Sequence, residues 1–532
     1  MNCSVLKSAA LVLLLLIGSA SVNAQKYSLN SPDNRLVANI ENGPKGIAVE
    51  LKKGGESLLT LSNLELVSGS ISRNPMQVKK TKRSSVNEEL RPVVREKASV
   101  LRNQYNELVL QFKSDLSLSF RLFNEGLAYR FESNWKDSLV ISAENLTIGL
   151  QEDDSLRFQS EKTFNSAYER PYEFKKVTDL DPARLVQMPV LVEKKSGGFL
   201  MITESDLHNY PGIWVRKDGA AGLSAIHPKY PKTLTTHPNR YVTRQVKATH
   251  DYIARVAGKR NYPWRIFAVA DTEAGLIDNH MVYLLASPNE IRDPSWIKPG
   301  VVMFDWWAKN NIYGVDFKAG VNTETAKYFI DFCAAKGFRY FLFDDGWSPK
   351  DDLLHTVPGL DMEEVTSYAK SKGVDVMVWV IWNTLEDQWD AAFDQFERWG
   401  IKGIKTDFMN RDDQLMVEFY EALAKKAAEK KMVLNFHGAY KPSGLSRKYP
   451  NVLTREGLIE FEQSGVSNDD NPTHHNLLPY IRMFTGSMDY IPGTMRNGNK
   501  HNFKQFGDYP MGWGTRAHSM ALFVILNSPM TM

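Results

Sequence analysis

The stretch GIKTDFMNRDDQLMVEFYEALAKKAAEK (403–430) runs from a short β-type segment straight into a helix. Gly403 to Asp407 reads as a strand. From Asp413 to Lys430, Met416, Phe419, Tyr420, Leu423 and Ala427 recur along one helical face. Strand followed by amphipathic helix is the repeating unit of a parallel α/β fold. Outward from it, seven further apolar runs repeat the pattern: VVMFDWW (301–307), FRYFLFDDGW (338–347), VDVMVWVIWN (374–383), KMVLNFHGA (431–439), VLTREGLIEFE (452–462), GSMDYIPG (486–493) and ALFVILNSPM (521–530). Helices fit between most of them, over Thr323 to Lys336, Met362 to Lys372 and Gln388 to Trp399. Eight strands with intervening helices predict a (β/α)8 TIM barrel over 291–532. The alternative, an open doubly wound sheet, lacks a Gly-rich phosphate loop after a first strand. The last run reaches the end of the chain, so the count predicts a barrel truncated at its C-terminal end, a fragment of a longer protein.

Upstream the character changes. Between residues 25 and 290, short alternating runs such as RLVANIE, GIAVELKK, ELVLQFKS and LSLSFRLF are separated by Gly, Asn, Asp and Lys turns. Evenly spaced strands of this kind predict an N-terminal antiparallel β-sandwich. Asn124-Glu125-Gly126 between two alternating segments signals a hairpin. A chain of 532 residues is too long for one core, so a multidomain β plus α/β protein is expected.

Hydrophobic residues make up 43% and charged residues 24%, a globular composition. Lys+Arg 65 against Asp+Glu 62 leaves a net charge of +3, which gives no case for a nucleic-acid partner or an anionic membrane. The basic run Lys79 to Arg83 reads as a solvated loop. Lys7, the apolar run Ala9 to Ile17 and the small-x-small site Val22-Asn23-Ala24 read as a signal peptide over 1–24, predicting a periplasmic or secreted protein with no membrane insertion after cleavage. The run is short for a span, which disfavours a retained anchor. Cleavage removes Cys3 and leaves Cys333 alone, so no intrachain disulfide is possible. Cys333 sits in a helix-like run and is expected to be buried packing.

Asp407 stands at the C-terminal tip of its strand, and TREGLIEFEQ (454–463) places Glu456 and Glu462 on the next strand but one. Carboxylates that end parallel barrel strands project into a shared cleft. A pair of carboxyls there is what glycosidic bond cleavage needs: one protonates the leaving oxygen, one attacks the sugar or activates water. Glu460 is two residues before Glu462, so strand alternation places both on one face and spacing does not choose between them.

The ordered motifs KTDFMNRDDQ, NFHGAYKPSG (435–444), YPNVLTREG (449–457) with a Glu six residues beyond the TREG glutamate, and MDYIPGT (488–494) resemble glycoside hydrolase family 97. The resemblance covers essentially the whole chain. It implies an exported α-glycosidase with an N-terminal β-sandwich, a catalytic barrel and a C-terminal β domain, the last of which is missing from this sequence. By the resemblance, Asp407 is the nucleophile of retaining members and Glu462 the acid/base. Glu456 binds Ca²⁺, joined by a Tyr-Glu carboxylate of the sandwich domain. SAYERPYEF (166–174) offers Glu169 or Glu173 for that place, and Glu169 fits the first Tyr-Glu. Inverting members carry His-Glu where this chain has His437-Gly438, so the missing base points to retention. Retention predicts a separation of roughly 5–5.5 Å between the two carboxyls, against the ~6.5–9.5 Å that admits a water. Retaining members are chiefly α-galactosidases. An α-glucosidase with the same apparatus and a catalytically silent carbohydrate-binding relative stand as alternatives.

Other residues are read as substrate contacts. Lys405, two residues before Asp407 on the same strand face, holds the nucleophile ionised or binds a hydroxyl. His437 and Asp344 end strands and can bond sugar hydroxyls, with structural hydrogen bonding as the alternative and Asp345 as a brace. Trp306, Trp307, Trp347 and Trp382 lie near strand ends and either wall the cleft or fill the core. His474-His475 resembles a metal pair but has no zinc-like spacing around it.

Overall fold

The computed structural model describes residues 24–69, 76–236, 241, 243–306, 309–507 and 509–532. Nearly all of the expected leader, and Trp307, lie outside the described residues. Among the described residues no helix is long and apolar enough to cross a membrane.

The first half is antiparallel. Its strands form one continuous hydrogen-bonded ladder that folds back on itself. Strand Leu36–Gly43 packs against Leu116–Phe123, and Gln25–Asn30 against Leu101–Phe112. Leu51, Leu61, Leu108, Phe120 and Phe131 meet in the core between them. Every second residue of these strands is apolar, so closing the two faces removes the apolar set from water together. Asn124-Glu125 is the two-residue turn of a hairpin that starts its return with Phe123 opposite Gly126. A Cβ on Gly126 would lie 2.5 Å from the Phe267 carbonyl, so glycine is needed for the neighbouring strand to approach. Lys79 to Arg83 belong to the exposed strand Val78–Leu90, not to a loop. A separate two-stranded hairpin, Pro231–Thr236 with Arg244–Thr249, reaches the barrel, where Arg244 pairs with Glu386 and Asp387.

The second half is a parallel sheet in the order Val452–Arg455, Val433–Phe436, Gly403–Asp407, Asp375–Ile381, Tyr340–Phe343, Gly300–Phe304, Met530–Thr531. The expected helices are present, over Thr323–Lys336, Met362–Lys372, Trp389–Trp399 and Gln414–Glu429. The first three end on Gly337, Gly373 and Gly400 in left-handed conformation, the usual helix stop.

Three expected strands differ. The run 452–462 is strand only to Arg455. Gly457 turns the chain at φ 84°, and the Glu460 side chain then caps a 3₁₀ turn, Phe461–Gly465. Glu462 therefore sits on a turn, where strand alternation does not apply. The run 486–493 makes no ladder, yet Asp489 N–H donates to the Arg455 carbonyl and Met488 N–H to that of Asn527, so it fills the seventh position and nearly closes the barrel. Buried Arg482 pins this junction through the carbonyls of Arg455, Glu456 and Ser487. Residues 516–525 are helical, capped by the Thr515 side chain, and only Met530–Thr531 pairs with the first strand. An all-apolar run of this length carries no period by which helix and strand are told apart.

Candidate active site

The parallel strands end at a cavity of about 280 Å³ lined by Glu169, Tyr241, Trp306, Asp344, Trp379, Lys405, Asp407, His437, Glu456, Glu460 and Glu462 among others. All seven expected site residues reach it.

Asp407 is held from two sides. Its Oδ2 accepts from Trp379 Nε1–H at 3.0 Å and its Oδ1 from the Phe408 amide at 2.5 Å. Lys405, buried beneath, donates to Asp344 Oδ2 at 2.8 Å. Burial opposes the Lys405 charge, but Asp344, Glu462 and Asp407 outweigh it and raise its pKa, so it is a fixed cation at the cavity floor. Asp344 is fixed in turn by its own amide, which donates to Asp305 Oδ1, and by the Asp345 amide, which donates to Asp344 Oδ1.

His437 Nε2 meets Asp489 Oδ2 at 2.7 Å, and its Nδ1 lies 3.4 Å from Glu456 Oε1. Asp489 also accepts from Asn435 Nδ2, so the seventh segment orients the histidine. Glu456 accepts the Gly438 amide at 2.6 Å. A Cβ at Gly438 would stand 2.5 Å from Asn410 Oδ1, and its φ is 54°. The left-handed backbone favours glycine there, and the cavity lining at 438 accordingly carries no carboxylate.

Four glutamates converge beside Asp407. Burial pushes the Glu462 carboxyl above the ordinary range; Lys405 and His437 oppose this, and Asp344 and Asp407 add to it. Burial, then Glu462 and Asp407, push Glu169 up to about 8. Burial and neighbouring carboxylates also raise Glu456 and Glu460. Glu460 Oε2 accepts the Glu462 amide at 2.6 Å, so it positions the turn that carries Glu462. Glu169 accepts from Gln463 of that turn. Glu173 instead pairs with Ser160 and Lys175 away from the cavity.

These are hard oxygen donors whose mutual repulsion a divalent cation would relieve, so their chemistry fits Ca²⁺. As placed, among the described residues, no three His, Cys, Asp or Glu side chains form a ready metal-binding group. A bound cation would have to draw them together.

Of the described tryptophans considered for the wall, Trp306 lines the cavity, while Trp347 and Trp382 are buried in the core. Trp379 also lines the cavity and donates to Asp407. A strand residue two before the strand's end carries no distinguishing sequence signal. Tyr241 of the N-terminal half packs against Phe408 at 4.6 Å between ring centres with the rings tilted by 35°, a contact no local pattern announces. Asp412 accepts from Trp214 Nε1–H, and Asp413 caps the helix. His475 binds Asp470 and Tyr490, and His474 the Ile459 carbonyl, so the pair is structural. Cys333 is buried and free, with burial raising its thiol to about 12.

Two family models match the chain, "Glycosyl-hydrolase 97 N-terminal" over residues 29–288 and "Glycoside hydrolase 97" over 306–458. A "Retaining alpha-galactosidase" of Bacteroides thetaiotaomicron is 37% identical over 544 aligned positions, covering 99% of this chain and 82% of the relative. A glycoside hydrolase family 97 enzyme from Pseudoalteromonas sp. strain K8, solved with acarbose, superposes with TM-score 0.81 at 22% identity, covering 95% of this chain and 80% of that one. A β-arabinopyranosidase superposes with TM-score 0.79 at 19% identity, covering 95% and 82%.

Proposed function

The chain belongs to glycoside hydrolase family 97, and from that premise we propose that it is an exported, Ca²⁺-dependent retaining α-galactosidase. One observation carries the retaining reading. Asp407 is oriented by two donors at the cavity floor, while the position that would supply a base to an inverting mechanism is Gly438, which has no side chain to supply one.

In the proposed reaction a terminal α-galactosyl unit enters the cavity with its anomeric carbon over Asp407. Glu462, its carboxyl pushed above the ordinary range by burial, gives its proton to the glycosidic oxygen as the C1–O bond breaks, and Asp407 forms an ester to C1. Glu462, now ionised, takes a proton from water; the water oxygen attacks C1 and releases Asp407. Two inversions return the starting configuration. Lys405 keeps positive charge beneath the site, and Asp344 and His437 offer acceptor and donor to ring hydroxyls. Ca²⁺ would be held by Glu169 and Glu456, and when bound supplies a Lewis-acidic charge near the sugar. The N-terminal leader supports export to the periplasm or beyond. The name of the Bacteroides relative supports galactose over glucose.

Nitrophenyl α-galactoside and α-glucoside, followed by NMR of the first-formed anomer with and without a chelator, test this reading. Turnover of the galactoside to α-galactose, lost in chelator, is the expected result. A β-anomer as first product would overturn retention. Faster glucoside turnover would make it an α-glucosidase. Asp407→Ala should abolish turnover, whereas a silent binder would have none to lose.

A further inference from the structure

The loop after Asp407 is bound to the N-terminal half as well as to its own barrel, where Asn410 N–H donates to the Gly438 carbonyl. Phe408 and Asn410 both take positive φ, 64° and 51°, which side-chain-bearing residues adopt only where the surroundings impose it. Ser166 N–H donates to the Asn410 carbonyl at 2.9 Å, and Gly212 N–H to that of Asp412 at 2.9 Å. Trp214, itself 1% exposed, donates its indole N–H to both oxygens of Asp412, at 3.1 and 2.9 Å. A Cβ on Gly212 would lie 2.3 Å from Asp412 Oδ2, so the two halves meet here without slack.

We propose that Trp214 is a positioning residue for the nucleophile, acting through Asp412 on the loop 408–413. The Phe408 amide that this loop presents is one of the two donors to Asp407, so the loop's conformation sets the carboxylate's direction. Beyond that amide the chain turns at the positive φ of Phe408. The tie from Trp214 to Asp412 closes the far end of the loop and leaves it no other path. The indole is itself wedged between Phe164 and Tyr168, at 5.5 and 6.0 Å between ring centres, so it is a rigid anchor.

The inference rests on the retaining reading, and the test separates the two. A 5-fluoro-α-galactosyl fluoride loses fluoride as C1 forms an ester with the nucleophile, and mass spectrometry follows labelling of Asp407. Trp214→Phe keeps the ring and deletes the donor. Labelling should slow about 10- to 100-fold, the cost of a small misplacement of a reacting group, with KM for nitrophenyl α-galactoside little changed. Asp412→Ala should slow it similarly and Asp412→Asn, which keeps an acceptor, far less. Trp214→Phe with Asp412→Ala should lose no more than either alone, because both break one link. Labelling of Trp214→Phe at the wild-type rate would overturn the proposal. If that variant does not fold, equal rates for Asp412→Ala and Asp412→Asn would do so. No labelling of the wild-type protein would overturn the retaining reading, and this inference with it.

Discussion

The Trp379 indole and the Phe408 amide divide Asp407 between them, one oxygen each. Such donors aim a carboxylate and lower its freedom before the sugar arrives. Trp379→Phe keeps the packing and removes one of them; kcat should fall on the order of 10²-fold with KM within a few-fold, measured on nitrophenyl α-galactoside. An unchanged kcat would mean that the indole only fills space. Glu169 shows the opposite economy. Its pKa is raised from 4.5 to about 8 in the fold by burial first and then by its neighbours. Between those values the folded protein holds a proton that the unfolded chain has lost, so stability falls as pH rises through the window. In chelator at pH 8, Glu169→Gln should be more stable than the wild type by roughly 1–3 kcal/mol in urea unfolding, with no gain below pH 4.5. Bound Ca²⁺ should erase the difference by giving the wild-type carboxylate a partner. Asp407, Glu456 and Glu462 were legible in the sequence because ordered motifs carry them. Trp379 and Tyr241 were not, because what they do depends on a neighbour from another element.

At the scale of elements, the turn 456–465 decides how the acid/base candidate is presented. A strand continued through 462 would put Glu460 and Glu462 side by side on one face. The glycine at 457 ends the strand, and Glu460 becomes the cap while Glu462 is left facing the cavity. A Cβ at Gly457 would lie 2.6 Å from the Ala439 carbonyl, and the φ of 84° is left-handed. Gly457→Ala should cost roughly 2–3 kcal/mol of stability and most of the activity, read by thermal melting and turnover together. A stable, fully active variant would show that the turn tolerates another path. The four regular βα units were readable from their periodicity and their glycine stops. The last three strand positions were not: one apolar run folds as a helix, one segment bonds without a ladder, and one strand stops early. In each case the sequence is apolar throughout or interrupted by glycine, and only the partners on either side settle the outcome.

Across the whole molecule, a buried ionic string ties the halves together. Arg265 of the sandwich holds Glu144 with two bonds of 2.7 Å and also pairs with Glu204, to which Lys441 of the barrel donates. Arg265, Glu144 and Glu204 are all nearly inaccessible to water. Removing the central cation strands Glu144 and leaves Glu204 with Lys441 as its cation in a low-dielectric interior. Arg265→Met should therefore lower stability by about 3–5 kcal/mol in urea unfolding, and the loss should shrink at low pH as the carboxyls protonate. A loss that does not change with pH would point to packing instead. By itself, the sequence determined the four regular βα units, the antiparallel half before them and which barrel carboxylates reach the cavity. Each of these rests on local period or on motif, which act over a few residues. The family resemblance already pointed to Glu169; only the tertiary structure decided that the N-terminal half also supplies Tyr241 and the Trp214 anchor to a cavity at the far end of the barrel strands. Those contacts join residues more than a hundred positions apart, and no local pattern encodes which distant side chain will fill a given gap.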